Sequence, residues 1–334
     1  MKIALTYNLK KKDDSKPADY YSEFDSEETV NAIISALRTK GHTVEAVDVE
    51  YPNLFSYFRK NRVDMVFNIA EGRSGKFRES EVPAILDYFD IPYTGSDTFS
   101  LAIALNKALT KKILKAEKIP TPEFQVFSKG NEMLNPLLKF PLIVKPNCEG
   151  SAKGINISNV VFDKESLYKK VQEIITVYKQ EALIEEFIEG KELTVGILEN
   201  GKTTILPVLE IDFSSCKESG EYFYSWRMKE FQGNESLGLV PTFHCPAQLD
   251  KQTEAKVKEI ALQTHHAVGC FDISRTDIRL SQDNTPYVLE INPLPGLDPH
   301  ESNFPIMAYA AGMKYEDLIE AILMSALMRR KGLN

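Results

Sequence analysis

The stretch FDISRTDIRLSQDNTPYVLEINPLPG, residues 271 to 296, constrains the fold of this chain more than any other. Two apolar, strand-like runs flank a polar QDNT turn, yet Arg275, Asp277, Glu290 and Asn292 stand where a core strand would carry Val or Leu. With Ser281 opposite Pro286, antiparallel pairing sets Arg275 against Asn292 and Asp277 against Glu290. The period-two alternation of a strand then puts all four on one face. Two carboxylates and an amide oxygen form a hard donor set suited to Mg²⁺ or Mn²⁺, which take one or two protein carboxylates and complete their shell with water and substrate phosphate. A slip of one residue on one strand would scatter the set. The competing reading is an ordinary solvated hairpin face. Asn292-Pro293 and Pro295-Gly296 weigh against it, because they fix the backbone just beyond Glu290.

A chain of 334 residues is too long for most single cores and points to two or three domains. No run approaches ~18 uninterrupted apolar residues, and MKIALTYNLKKKDD turns charged too early for a signal peptide, so a cytoplasmic protein with no membrane partner is expected. Cys148, Cys216, Cys245 and Cys270 lack metal-ligand spacing and read as reduced thiols. A net charge of -8 disfavours a nucleic-acid partner but leaves room for a local basic site for phosphate.

Alternating strand and helix through MKIALTYN, SEETVNAIISALRTK, TVEAVDV and VDMVFNIAEG predicts a parallel α/β layer over residues 1 to 95, closed by a helix and a short strand ending at Gly95. The segment SLAIALNKALTKKILKAEKI predicts one helix, with Leu101, Leu105, Leu109 and Ile113 on its apolar stripe and Lys107, Lys111 and Lys112 off it. Strand, glycine-containing loop, strand and helix follow. The run from Ala182 to Ile211 predicts three strands with turns at Glu189-Gly190 and Asn200-Gly201, the second a hairpin signal. A long polar loop over 214 to 245, a helix over 250 to 269, the hairpin and two more helices complete the chain.

Two further groups of residues carry chemistry. In KPNCEGSAKG, small residues at Gly150, Ser151, Ala152 and Gly154 allow backbone N–H groups to approach phosphate, and Lys145 supplies charge at the mouth. The spacing is not that of a Walker A loop, and neither is GRSGKF at 72 to 77. An ordinary glycine-rich turn is the plain alternative. In LIEEFIEGKELTV, Glu185 and Glu186 close a strand where the backbone can read an adenine edge, and Glu192 can accept ribose hydroxyls. A solvated acidic turn is the alternative there.

In order, NKALTKKIL, FPLIVKPNCEGSAKGI, ALIEEFIEGKELTVGIL and RTDIRL...PYVLEINPLPG resemble the ATP-grasp carboxylate-amine ligases, and most closely the D-alanine:D-alanine ligase family. The resemblance implies an ATP-dependent, ADP-forming ligase that joins a carboxylate to an amine, usually as a homodimer. It implies an α/β, ATP-grasp fold of three domains, here 1–95, 96–184 and 185–334, with ATP between the second and third. Lys107 and Lys145 match the phosphate-contacting lysines; Glu185, Glu186, Phe187 and Ile188 the adenine-side segment; Glu192 the ribose acceptor. Asp277, Glu290 and Asn292 match ligands of two Mg²⁺ ions. Arg275, with the backbone N–H of Gly296, matches the group that steadies a tetrahedral intermediate. Ser151 and Lys229 match the residues where the phosphate loop meets the loop covering the site.

The departures from the family pattern lie in the substrate pockets. No glycine occurs in TYNLKKKDDSKPADYYSEFDSEETV, where the family is glycine-rich, and Glu27 or Glu28 stands where an acid opens the first helix. Both are also ordinary first-turn acids for a helix dipole. Glu71 replaces a usual histidine, with Arg73, Lys76 and Arg78 nearby. The tyrosine expected after Lys229 falls on Glu230 or Phe231. Glu301 stands in the pocket for the second amino acid's carboxylate, where like charges repel, with Ser302 one place on; His300 is a further candidate proton carrier. The ligase reaction is therefore expected with a carboxylate and an amine, the latter an amino acid, and D-alanine is assigned to neither place. A small-molecule kinase and a silent nucleotide-binding regulator are the alternatives.

Overall fold

The computed structural model describes all residues except 12, 14, 50–53, 200, 331 and 333–334. Its first layer is the parallel sheet the sequence predicts. Strands β1 (Lys2–Tyr7), β2 (Thr43–Asp48) and β3 (Met65–Asn68) lie in the order β2-β1-β3, with helices α1 (Glu27–Thr39), α2 (Leu54–Lys60) and α3 (Glu81–Tyr88) around them. The short strand expected before Gly95 is reduced to one bridge, Val66 with Tyr93.

The single helix expected after Ser100 is two, α4 (Thr98–Leu105) and α5 (Lys107–Ala116). Asn106 breaks it by leaving helical ψ and accepting from Leu109 N–H, while Asn147 accepts from Ala108 N–H at 2.9 Å. The break turns α5 so that Lys107 and Lys111 face inward and Leu109 is left 40% exposed. The apolar stripe read through the sequence therefore holds for α4 and fails on α5.

The central sheet has the order β4-β7-β5-β6, from β4 (Phe124–Phe127), β5 (Leu142–Pro146), β6 (Val160–Val161) and β7 (Ala182–Glu186), with α6 (Lys164–Tyr178) packed on it. The run from Ala182 to Ile211 holds four strands, because Leu206 to Val208 separate β9 (Thr203–Ile205) from β10 (Leu209–Asp212), each of which pairs with the strand after β7. The turn expected at Glu189-Gly190 is a passage between sheets: β7 belongs to the central sheet and β8 (Gly190–Glu199) to the next. β8 and β9 do pair as expected; Asn200 of their turn lies outside the described residues.

The third sheet runs β11-β10-β8-β12-β13, completed by β11 (Thr242–His244), β12 (Ile273–Ser281) and β13 (Pro286–Asn292). The polar loop before it contains the short helix α7 (Trp226–Glu230). Helix α8 (Lys251–Val268) starts at the Asp250 cap, ends at left-handed Gly269, and packs with α5 on one face of the sheet. On the other face, α9 (Asn303–Ala310) and α10 (Tyr315–Arg330) share a core with the first layer, in which Phe304, Met307 and Ile322 meet Ile3, Ile33 and Phe67. No described helix is long and apolar enough to cross a membrane, and all four cysteines are free.

The hairpin keeps the expected pairs Arg275 with Asn292 and Asp277 with Glu290, but by a route the sequence did not suggest. Its turn is one residue tighter, with Ser281 N–H bonded to Thr285 O at 3.0 Å and Leu280, not Ser281, opposite Pro286. A bulge after Asp277 then sets Ile278 opposite Val288 and absorbs the offset.

Candidate active site

The three sheets close on one cavity of about 420 Å³. Of the residues singled out in the sequence, Lys107, Lys145, Ser151, Glu185, Glu186, Phe187, Ile188, Glu192, Lys229, Arg275, Asp277, Glu290, Asn292, Gly296, Glu71, Glu301 and Ser302 all line it. Glu27 does not, nor does Glu28, which lies at the surface 3.7 Å from exposed His300. Arg73 and Lys76 also point outward.

On the hairpin face, Asp277 is held on all sides. Arg275 donates to its two oxygens at 2.9 and 2.8 Å, Thr194 Oγ1 at 2.7 Å and Asn292 Nδ2 at 3.0 Å. The amide oxygen of Asn292 is left free of that bond and faces the cavity with Glu290. Glu290 pairs with Lys107 at 3.0 Å. Burial alone would raise its carboxyl, but Lys107 and Lys145 overcome that and bring it down to about 2. Burial likewise works against the Lys107 ammonium, which Glu290 holds above its ordinary value. An ionised carboxylate, a second carboxylate and an amide oxygen on one rigid ribbon suit a hard divalent cation, so the donor set fits the Mg²⁺ or Mn²⁺ the resemblance implies.

Lys145 is buried on β5 rather than standing at the mouth of the loop. Its ammonium and that of Lys111 both meet Glu185, Lys111 at 2.7 Å, as close ion pairs without well-angled hydrogen bonds. Lys111 is 0% and Glu185 1% exposed. Burial lowers Lys111 to about 8 against the pull of Glu185, and Glu185, which burial would raise, is held low by the two lysines. The neighbouring Glu186 carboxylate turns away to accept from Lys139 N–H at 2.9 Å. Glu192 meets Arg279 at 3.4 Å and Tyr224 N–H at 3.3 Å, and the Arg279 guanidinium lies over the Phe187 ring at 5.4 Å.

The glycine-containing loop is only partly open to phosphate. Gly150 N–H donates to Glu23 at 2.7 Å and Gly154 N–H to Asp19 at 3.2 Å, so the glycine-free segment before α1 occupies two of its four donors. Ser151 and Ala152 adopt left-handed φ of 52° and 55°, and their N–H groups take no partner among the described residues. Lys229 donates to Ser151 Oγ at 2.7 Å. Burial, then Arg275, lowers the Lys229 ammonium. No tyrosine follows it: Glu230 pairs with Lys10 at 3.0 Å and Phe231 lies edge-on to Trp226.

Sequence reasoning missed Glu23, Asp25, Glu79 and Lys10. Glu23 makes a bidentate, buried pair with Arg78, which also donates to Cys148 O at 3.0 Å. A buried acid in an acid-rich segment carries no local mark; only the fold brings it against the loop. Gly72 allows this arrangement, since at φ +81° a Cβ there would sit 1.9 Å from Arg78 O. Glu301 is exposed at the rim, and Ser302 Oγ accepts from Asp298 N–H at 3.0 Å. Gly296 N–H has no partner among the described residues.

Buried lysines on β5 and α5 face a hairpin bearing carboxylates from another sheet across one cavity, and with the three-sheet fold this is the arrangement of an ATP-grasp ligase. The family model described as D-ala D-ala ligase C-terminus matches residues 113–324. The D-alanine--D-alanine ligase of Carboxydothermus hydrogenoformans is 35% identical over 91% of this chain and 94% of its own length. That of Pseudothermotoga lettingae is 34% identical over 88% and 92%. The solved structure of D-alanine--D-alanine ligase from Bacillus anthracis complexed with ATP superposes with a TM-score of 0.76 at 26% identity over 100% of both chains. The chain belongs to the D-alanine--D-alanine ligase family, whose members are ATP-dependent, ADP-forming enzymes.

Proposed function

We propose that this enzyme phosphorylates the carboxylate of one small substrate with ATP and passes the acyl group to the amine of an amino acid. The observation that carries the reading is the shared face of β12 and β13, on which Arg275, Asp277, Glu290 and Asn292 converge within reach of Lys107. In this reading a carboxylate oxygen attacks the γ-phosphorus and ADP leaves. The amine nitrogen then attacks the acyl carbon, and phosphate leaves as the new C–N bond closes. The protein's part is placement and neutralisation of charge. Lys107 and Lys145 hold phosphate oxygens, and Ser151 and Ala152 N–H groups add donors. Glu185, Glu186, Phe187 and Ile188 form the adenine side, and Glu192 receives the ribose. Asp277, Glu290 and Asn292 would hold Mg²⁺ or Mn²⁺, which supplies charge neutralisation for the triphosphate. Arg275, fixed by Asp277, faces the oxyanion with Gly296 N–H.

Lys229 and Ser151 tie the covering loop to the phosphate loop. Glu301 at the rim disfavours a second substrate bound by its carboxylate alone, so D-alanine, the substrate in the relatives' names, is not the one we assign. A cytoplasmic homodimer accords with the same reading. So does a division near residues 95 and 184, since each sheet falls within one segment apart from the last two residues of β7. Phosphate release from ATP and Mg²⁺ over pairs of acids and amino acids, with mass spectrometry of products, tests the reaction. Asp277→Asn and Glu290→Gln should each remove turnover in a chain of unchanged circular dichroism; activity surviving both would refute the metal assignment, and efficient synthesis of D-alanyl-D-alanine the pocket argument.

A further inference from the structure

One wall of the cavity carries more negative charge than this chemistry uses. Asp25, from the segment ahead of α1, and Glu71 and Glu79, from the loop after β3, all line it. Among the described residues none of the three carboxylates has a hydrogen bond or a close ion pair; Lys229 acts on Asp25, and Arg78 on Glu71 and Glu79, only from further off. Glu79 is only 8% exposed, and that exposure is to the cavity. The cations of the cavity are nearly all matched already: Lys107 with Glu290, Lys145 with Glu185, Arg275 with Asp277, Arg279 with Glu192 and Lys10 with Glu230. Among the described residues lining the cavity, Lys229 alone is a cation without a carboxylate partner. Three carboxylates without a close partner therefore face one ammonium that also lacks one.

A neutral α-amino acid cannot correct that imbalance. With its carboxylate toward Lys107, its single ammonium answers one of the three acids. A buried carboxylate without a partner is costly, so the remaining wall is shaped for a second positive group. Resting on the ligase reading above, we propose that the carboxylate donor is a basic amino acid, and that Glu71 and Glu79 receive the ammonium or guanidinium of its side chain. The loop that carries them is fixed in advance. Gly72 N–H donates to Asn8 at 3.1 Å, Arg73 N–H to Glu81 at 2.9 Å, and Arg78 is clamped by Glu23. Ile69 and Leu297 line the same cavity and give apolar surface for a methylene stem.

The electrostatics of the empty wall agree. Burial, then the charges of Glu79 and Glu23, push Glu71 well up, and burial raises Asp25 and Glu79 to about 7. An arriving cation opposes that rise and favours the ionised carboxylates.

Hydroxylamine as a common acceptor isolates the donor site. Its nitrogen attacks the acyl phosphate carbon, the bond from that carbon to the phosphate oxygen breaks, and a hydroxamate and free phosphate form while the surplus proton goes to solvent. Lysine, ornithine, arginine, norleucine and alanine, each as both enantiomers, are compared by kcat/KM. At least one basic donor should exceed norleucine by roughly 10²-fold or more, the scale of leaving a buried charge unpaired. Glu71→Gln and Glu79→Gln should each narrow that ratio. Hydroxamate formed equally well from norleucine or alanine overturns this proposal and leaves the ligase intact. No hydroxamate from any donor, with ATP still bound in equilibrium dialysis, overturns the ligase reading and this proposal with it. Should the variants fail to fold, calorimetry of the unmodified enzyme with ATP and each donor in turn decides: tighter binding of at least one basic donor than of norleucine supports the proposal, and equal or weaker binding of all of them refutes it.

Discussion

Replacing Glu185 with Gln removes the one anion shared by two buried lysines, and its consequence can be worked from the structure. Removing one partner of a buried ion pair costs roughly 3–5 kcal/mol. Here the loss has a ceiling set by deprotonation. Lys111 already sits at about 8 with Glu185 present; without it the ammonium falls further and sheds its proton near neutrality. At pH 7.5 a neutral lysine costs about 4 kcal/mol relative to the unfolded chain, most of which burial already imposes on Lys111. The deficit of the variant should therefore depend on pH. In the unmodified chain Lys111 makes stability rise with pH only from about 8 to 10.5, because there the unfolded state binds more protons. Glu185 is held low, so its contribution is complete above its ordinary value and flat at neutral pH. In the variant the rising window extends below pH 8, with a slope of up to about 1.4 kcal/mol per pH unit for each affected lysine. Urea unfolding followed by far-ultraviolet circular dichroism at pH 6, 7 and 8 measures this. We expect a deficit of roughly 3–5 kcal/mol at pH 6 that shrinks by pH 8. A deficit below 1 kcal/mol at pH 6, or one equal at both ends, would show that Glu185 does not neutralise the pair.

Other substitutions separate chemistry from structure. Arg275→Ala should lower phosphate release ~10²- to 10³-fold with ATP affinity kept in equilibrium dialysis, since Asp277 retains Thr194 and Asn292; equal losses in both would mean a structural role. Asp25 is raised to about 7 by burial, so its contribution to stability is complete below the ordinary value of 3.8 and lost as pH rises through 7. Asp25→Asn should accordingly be more stable than the unmodified chain at pH 8, by roughly 1–3 kcal/mol, and no more stable at pH 3.5; urea midpoints at the two pH values check the sign. Gly72→Ala places a methyl 1.9 Å from Arg78 O at φ +81° and should cost more than ~2 kcal/mol in the same assay. A change under 0.5 kcal/mol would show that the 71–78 loop is not held as described.

Much of the site was legible because it is carried by local repeats. Period-two alternation together with antiparallel pairing put Arg275, Asp277, Glu290 and Asn292 on one face, and Asp250 and Gly269 marked the ends of α8. Strand and helix periods are properties of a few consecutive residues, so the sequence determines them without knowing what packs above. The tertiary structure decided what local repeats do not encode. It tightened the hairpin turn and inserted the compensating bulge, broke the α4–α5 run so that Lys107 and Lys111 face inward, and carried Glu23 and Asp19 onto the phosphate loop. It also gathered Asp25, Glu71 and Glu79 on one wall. Each of these depends on which distant group removes water from a charge or supplies its counter-ion, and that is fixed only when separate sheets close around a common cavity.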